Sequence, residues 1–312
     1  MRLIRGVYNL PHFPQGSAVT IGAFDGIHLG HQAIIEQVVE RAKLLALPSV
    51  LICFEPLPRE YFAPDDSPLR ILSFRDKYRV LQDLGIDAVL LINFNHKVAS
   101  LSAEDFFKQV FVQGLNMRYL VVGDDFRFGS NRGGDRKMFQ DYSKTYDFGF
   151  SQVSSVTHGG ERVSSTLIRE CIENGEFQRA SELLGRPYSV SGQLLAVKPA
   201  DHKNRASEHL SIVCYTLLND AHLVRLTLEN RMQFYAVIDP ESSVDRSCLN
   251  HKRLFTARLI EGVGNLPKQP VTLEFLYRLS GNQEKAVKQN NTDGQLDNIS
   301  RARQWLAESS LI

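Results

Sequence analysis

A glycine turn joins an apolar strand to an amphipathic helix at residues 18–35, AVTIGAFDGIHLGHQAII, and this junction constrains the fold more than any other stretch. Ala18 to Ile21 form a short β-prone run, Gly22 and Gly26 interrupt it, and helical spacing of apolar residues then predicts a helix over Gln32 to Leu47. Strand, turn and helix in that order open a parallel α/β sheet. Gly26 and Gly30 leave little side-chain bulk around His28 and His31. A helix N-terminus aims N–H groups at the turn, and imidazoles beside it can donate to phosphate oxygens, so the stretch is a candidate anion site.

The alternation continues. Ser49 to Phe54 reads as a buried strand, ended by Pro56 and Pro58, which hold an extended loop at its carboxyl end. Ser73 to Gly85 is expected to be helical, with Ser73 as N-cap and Gly85 as the stop. Ile86 to Phe94 gives a third strand. A helix from Ser102 to Gly114 has capping-box-like spacing between Ser102 and Asp105. Arg118 to Val122 is a fourth strand, ending in Gly123-Asp124-Asp125-Phe126-Arg127-Phe128-Gly129. Carboxylates and rings between glycines suit a site that takes a flat ring and a charged group together, though Phe126 and Phe128 suit the core equally. A helix over Met138 to Tyr146 and a strand over Phe150 to Val156 follow. In Val163-Ser164-Ser165-Thr166-Leu167-Ile168-Arg169 the hydroxyls can cap a helix, and its first N–H groups with Arg169 make a second anion cradle.

Together these motifs resemble those of the bacterial FAD synthetases, within the nucleotidyltransferase superfamily. Gly22-Ala23-Phe24-Asp25-Gly26-Ile27-His28-Leu29-Gly30-His31 is similar to their G-x-F-D-G-x-H-x-G-H turn, and FEPLPREYF to their second motif, with Leu57 where a His or Gln is common. GDDFRFG and SSTLIR resemble their third and fourth, in the same order. The resemblance implies an α/β fold: a Rossmann-like nucleotidyltransferase domain with a doubly wound parallel sheet, residues 1–186, then a small antiparallel β-barrel domain, 187–312. It further implies that FMN attacks the α-phosphate of ATP with Mg2+, giving FAD and pyrophosphate. On that reading His28 and His31 serve the phosphate oxygens and Arg169 the outgoing pyrophosphate. Gly22, Phe24, Asp25, Gly26, Gly30, Ser164, Ser165 and Thr166 line the ATP site, while Pro56, Pro58, Gly123, Asp125, Phe126 and Phe128 line the flavin or nucleotide site. Mg2+ comes through the ATP phosphates, not protein side chains.

After Leu184-Gly185-Arg186-Pro187-Tyr188-Ser189-Val190-Ser191-Gly192, which resembles the passage into a riboflavin kinase barrel, the sequence changes character. Short alternating runs at 210–217, 224–228, 234–238, 254–260 and 271–279 suggest antiparallel strands. Gly281 to Asn298 reads as a polar loop, and Arg301 to Leu311 as a closing helix that docks Trp305 and Leu306. The family's G-x-x-x-G-F-P-T-A-N turn has no counterpart in Gln193 to Ser211, QLLAVKPADHKNRASEHLS, and no carboxylate stands in His251 to Ala257. A barrel that has lost riboflavin kinase activity is therefore expected. Three readings remain open: the adenylyltransferase, with or without a surviving kinase; a transferase of another phosphate; and a non-catalytic flavin-binding regulator.

Among 312 residues, 36 Lys and Arg nearly balance 35 Asp and Glu, so charge gives no case for a nucleic-acid or membrane partner. Cys53, Cys171, Cys214 and Cys248 are too dispersed for a metal or disulfide framework. With no signal peptide and no run of about 18 apolar residues, a cytoplasmic location is expected. The oligomeric state is left open.

Overall fold

The computed structural model describes residues 1–130, 133–198, 209–216, 218, 220–240, 252–260, 266–279 and 291–309. Backbone contacts divide the chain into two units, Met1–Pro68 with Lys77–Ser164, and Leu69–Asp76 with Ser165–Ile312.

The chain opens with β1 (Arg2–Arg5), β2 (Ser17–Ile21), α1 (Leu29–Leu44), β3 (Ser49–Glu55), α2 (Pro58–Phe62), α3 (Phe74–Asp83) and β4 (Ala88–Asn93). It continues with α4 (His96–Ala99), α5 (Ala103–Phe106), β5 (Met117–Gly123), α6 (Arg136–Tyr146), β6 (Gly149–Val153), β7 (Thr157–His158) and β8 (Glu161–Arg162). In the first unit the six-stranded sheet has the order β1-β4-β3-β2-β5-β6, and every pairing in it is parallel. Strands buried on both faces read as continuous apolar runs, which is why β2, β3 and β4 were legible. Each begins at or near a polar tie: the Ser17 hydroxyl donates to the Leu115 carbonyl at 2.7 Å, and the Ser49 hydroxyl to the Asp87 carboxylate at 2.7 Å. Val19, Ile21, Ile52, Leu90 and Leu120 pack against Phe106, Phe107, Phe111, Phe128 and Phe139. Helix α1, packed on β2, β3 and β5, buries Ile35, Val38, Val39 and Ala42.

Several expected boundaries move. Helix α1 starts at Leu29, three residues before Gln32, because the His28 ring caps it. Ser102 caps α5 through the Asp105 N–H at 3.0 Å as expected, but from Phe107 to Gly114 the helix widens to a π-helix. Strand β1 was not anticipated: RLIR is short, charged at both ends, and lies at the sheet edge, where such residues discourage further pairing.

The second unit holds α7 (Ser165–Asn174), α8 (Phe177–Leu184), β9 (Ser189–Lys198), β10 (His209–Tyr215), β11 (His222–Leu228), β12 (Gln233–Pro240), β13 (Lys252–Leu259), β14 (Gln269–Arg278) and α9 (Asn291–Ser309). Its strands close into a barrel of order β10-β13-β12-β11-β14-β9, with antiparallel neighbours throughout. The closing helix begins at Asn291, before the expected Arg301, and so takes in residues 291–298 of the stretch expected as a polar loop; residues 280–290 lie outside the described residues, as do Leu311 and Cys248. Trp305 and Leu306 dock as expected, Trp305 stacking on Tyr277 at 5.8 Å. Cys53, Cys171 and Cys214 are buried and take part in no disulfide among the described residues.

Candidate active site

In an open parallel sheet, ligands bind beyond the carboxyl ends of the strands, where the order reverses. Here the reversal lies at β2, flanked by β3 and β5. The segments leaving these three strands are Gly22 to His28, Glu55-Pro56 and Gly123-Asp124-Asp125, so the expected motifs converge on one edge.

The turn after β2 is held by burial. Phe24 (φ 46) and Ile27 (φ 44) take the left-handed region unusual for such residues, alongside Gly26 (φ 78). Both side chains are buried, as are Asp25 and His28, and packing over-determines the conformation. The peptide N–H of His31 donates to His28 Nδ1 at 3.3 Å, making an imidazole the N-cap of α1. The two rings stack, centroids 3.7 Å apart, with Phe24 edge-on to His31 at 5.2 Å. A Cβ on Gly30 would stand 3.2 Å from the His28 ring, so only glycine leaves the pair undisturbed. The same point is 3.9 Å from the Val163 carbonyl, which brings the segment leading into Ser164 beside the turn. His31 Nδ1 is buried without a hydrogen-bond partner. Burial, then the neighbouring His28 and Lys77, hold His31 well below the ordinary imidazole range, so the ring is neutral at pH 7.

After β3 the Glu55–Pro56 peptide is cis, and Pro58 opens α2 at its first position. Here lies a feature the sequence reading missed. Phe62 is 68% exposed yet meets Tyr61 and Phe94 edge-to-face at 5.3 and 5.7 Å, while Phe54 packs on Phe94 at 5.5 Å. An exposed aromatic group of this kind can receive a flat ring. Its signal lay in the spacing of Tyr61 and Phe62 after the two prolines.

At the end of β5 the two acidic residues diverge. Asp124 accepts from the Ser155 N–H at 2.9 Å and hydroxyl at 2.8 Å, and these bonds with the Arg162 charge lower its pKa. Asp125 accepts from Arg162 Nη2 at 2.7 Å. A groove of about 470 Å³ opens between Asp124, Arg136, Gln140 and Ser151. Phe126 and Phe128 belong to a ring stack with Phe139, at 6.1 and 4.9 Å, and Phe128 is buried. In the second unit, Ser165 and Thr166 open α7, and Arg169 Nε donates to the Leu69 carbonyl at 2.7 Å, fixing the guanidinium plane.

The family described as FAD synthetase matches residues 10–167. The chain belongs to the FAD synthetase family. It is 40% identical over 196 residues to a protein of Buchnera aphidicola subsp. Schizaphis graminum, and 39% over 196 residues to one of Escherichia coli strain K12. It is 40% identical over 195 residues to one of Haemophilus influenzae, and all three are called bifunctional riboflavin kinase/FMN adenylyltransferase. Each match takes in 62% of this chain and 63% of the relative's length. A crystal structure titled macrolide-efflux protein, from Streptococcus pneumoniae, shares the fold with a TM-score of 0.74, at 24% identity and 97% coverage of both chains. No helix among the described residues is long and apolar enough to cross a membrane.

Proposed function

We propose that the chain is an FMN adenylyltransferase: a phosphate oxygen of FMN attacks the α-phosphorus of ATP, the bond to the bridging β-phosphate oxygen breaks, and pyrophosphate leaves with that electron pair. The observation that carries this reading is the stacked His28–His31 pair at the N-terminus of α1, at the switch point of the sheet. Such a displacement needs alignment and charge stabilisation, not a covalent intermediate. His28, with Nδ1 accepting, carries its proton on Nε2, which donates to a phosphate oxygen beside the N–H groups of α1. His31, held neutral by burial, serves the phosphate oxygens together with His28. Ser164, Ser165 and Thr166 act as phosphate or cap donors, and Arg169 grips the outgoing pyrophosphate. Phe62 and its neighbouring rings take the isoalloxazine, with Asp125 at the polar edge of the flavin or nucleotide.

Among the described residues no three His, Cys, Asp or Glu side chains gather as a metal ligand set. A Mg2+ bound through the ATP phosphate oxygens and water would neutralise charge developing on the phosphates.

The adenylyltransferase domain is assigned to residues 1–186 and the barrel domain to 187–312. We assign the barrel no riboflavin kinase activity. Without glycine in Gln193 to Ser211 the backbone there is poorly suited to close approach to phosphates, and His251 to Ala257 offers no carboxylate base. Part of both stretches lies outside the described residues. The bifunctional names of the relatives support a second reading in which a kinase survives. One experiment separates them: ATP and Mg2+ with FMN in one tube, riboflavin in another, products followed chromatographically. FAD from FMN and no product from riboflavin is expected. FMN formed from riboflavin establishes the bifunctional reading, and FAD in neither tube rejects the adenylyltransferase.

A further inference from the structure

We propose that Lys77 is a positioning residue for adenylyl transfer, its ammonium clamped on the Ala23 carbonyl so that the Gly22 to Ile27 turn presents His28 and His31 in one orientation. The inference rests on the adenylyltransferase reading.

Lys77 lies in α3 and is only 2% exposed, and its Nζ donates to the Ala23 carbonyl at 2.7 Å across 54 residues of sequence. Lysine is almost never buried to this degree, because its charge loses water. Methionine would fill the same channel without that loss, giving up only one hydrogen bond to the carbonyl of an exposed residue, whose net contribution is small. Stability alone therefore gives only a weak reason for an ammonium here. The turn gives one. Its backbone holds left-handed φ at Phe24 and Ile27, and between Gly22 and Phe24 the exposed Ala23 has a carbonyl that would otherwise be left to water. The clamp ties that peptide to a helix and leaves the two imidazoles, three residues apart across Gly30, one common orientation. The same positive charge disfavours a proton on His31, adding to burial and to His28.

The test uses the full chain with ATP, FMN and Mg2+, reading pyrophosphate release, KM for ATP and Tm. Lys77→Met should lower kcat about 10- to 100-fold, the scale of a small misplacement of reacting groups, with KM within about threefold and Tm lowered by no more than a few degrees. Lys77→Arg, which keeps a charged donor, should recover most of the loss. Wild-type kcat in Lys77→Met overturns the proposal, as does an equal loss in Lys77→Met and Lys77→Arg accompanied by a larger fall in Tm, the mark of a packing role. If Lys77→Met does not fold, Lys77→Leu, which also lacks a donor, is read instead, and wild-type kcat there is equally fatal. Absence of FAD synthesis by the unmutated chain rejects the functional reading together with this inference, whereas full activity in Lys77→Met rejects this inference alone.

Discussion

The His31 N–H donates to His28 Nδ1 at 3.3 Å while the two imidazoles stack at 3.7 Å. One ring thus caps the helix and, by accepting there, is obliged to carry its proton on the opposite nitrogen. His28→Ala should lose both cap and donor, with turnover falling roughly 100- to 1000-fold by analogy with oxyanion donors. His28→Asn should restore the cap, and with it Tm, but not turnover. His31→Ala should lower turnover more than nucleotide affinity. Pyrophosphate release at the unmutated rate by both alanine variants would remove the pair from catalysis.

Gly30→Ala separates stability from activity. Alanine is about 1 kcal/mol better than glycine within a helix, yet its Cβ would press to 3.2 Å on Cε1 and Nδ1 of His28. Tm should hold or rise slightly while kcat falls at least about tenfold through the displaced ring. Unfolding curves and pyrophosphate release on one preparation check this, and unchanged kcat would show that the ring position does not matter.

Arg169→Lys should raise the ATP requirement or slow turnover. The Nε bond to the Leu69 carbonyl orients a planar fork that suits paired phosphate bonds, and an ammonium has no plane to orient. Steady-state rates over a range of ATP concentrations decide it; a fully active Arg169→Lys enzyme would reduce Arg169 to a structural cation.

His222 should make the protein acid-sensitive. It is fully buried among Phe177 and Phe275; Nδ1 donates to the Asp220 carbonyl at 2.7 Å, and Nε2 is buried without a hydrogen-bond partner. Burial pushes its pKa down to about 4 from 6.5. The unfolded chain therefore takes up a proton below about pH 6.5 that the folded state refuses. The stability involved is complete above pH 6.5 and is lost as pH falls towards 4, by about 3 kcal/mol in total. Urea midpoints from pH 7 to 4.5 should fall less steeply in His222→Phe than in the unmutated protein. Parallel curves would sink the assignment.

What the sequence determined by itself was local. Ser73 caps α3 through the Asp76 N–H at 3.1 Å, and Gly85 stops it with φ 81, because caps and left-handed glycines act within a few residues. Apolar runs named β2, β3 and β4, and alternation marked much of the barrel, because burial on two faces or one leaves that trace in the chain. The glycine turn with its histidines was legible for the same reason. Tertiary structure decided the rest. Lys77 reads as one more cation on an amphipathic helix, and only the fold brings its ammonium to Ala23. Phe126 and Phe128 suit ligand or core equally by residue type, and only the fold stacks both on Phe139 within one apolar cluster. The start of α1 at Leu29 depended on a side chain acting as a cap that its residue type does not announce. Contacts between residues distant in sequence depend on which surfaces meet when the sheet closes over its core, and residue spacing along one segment does not encode that meeting.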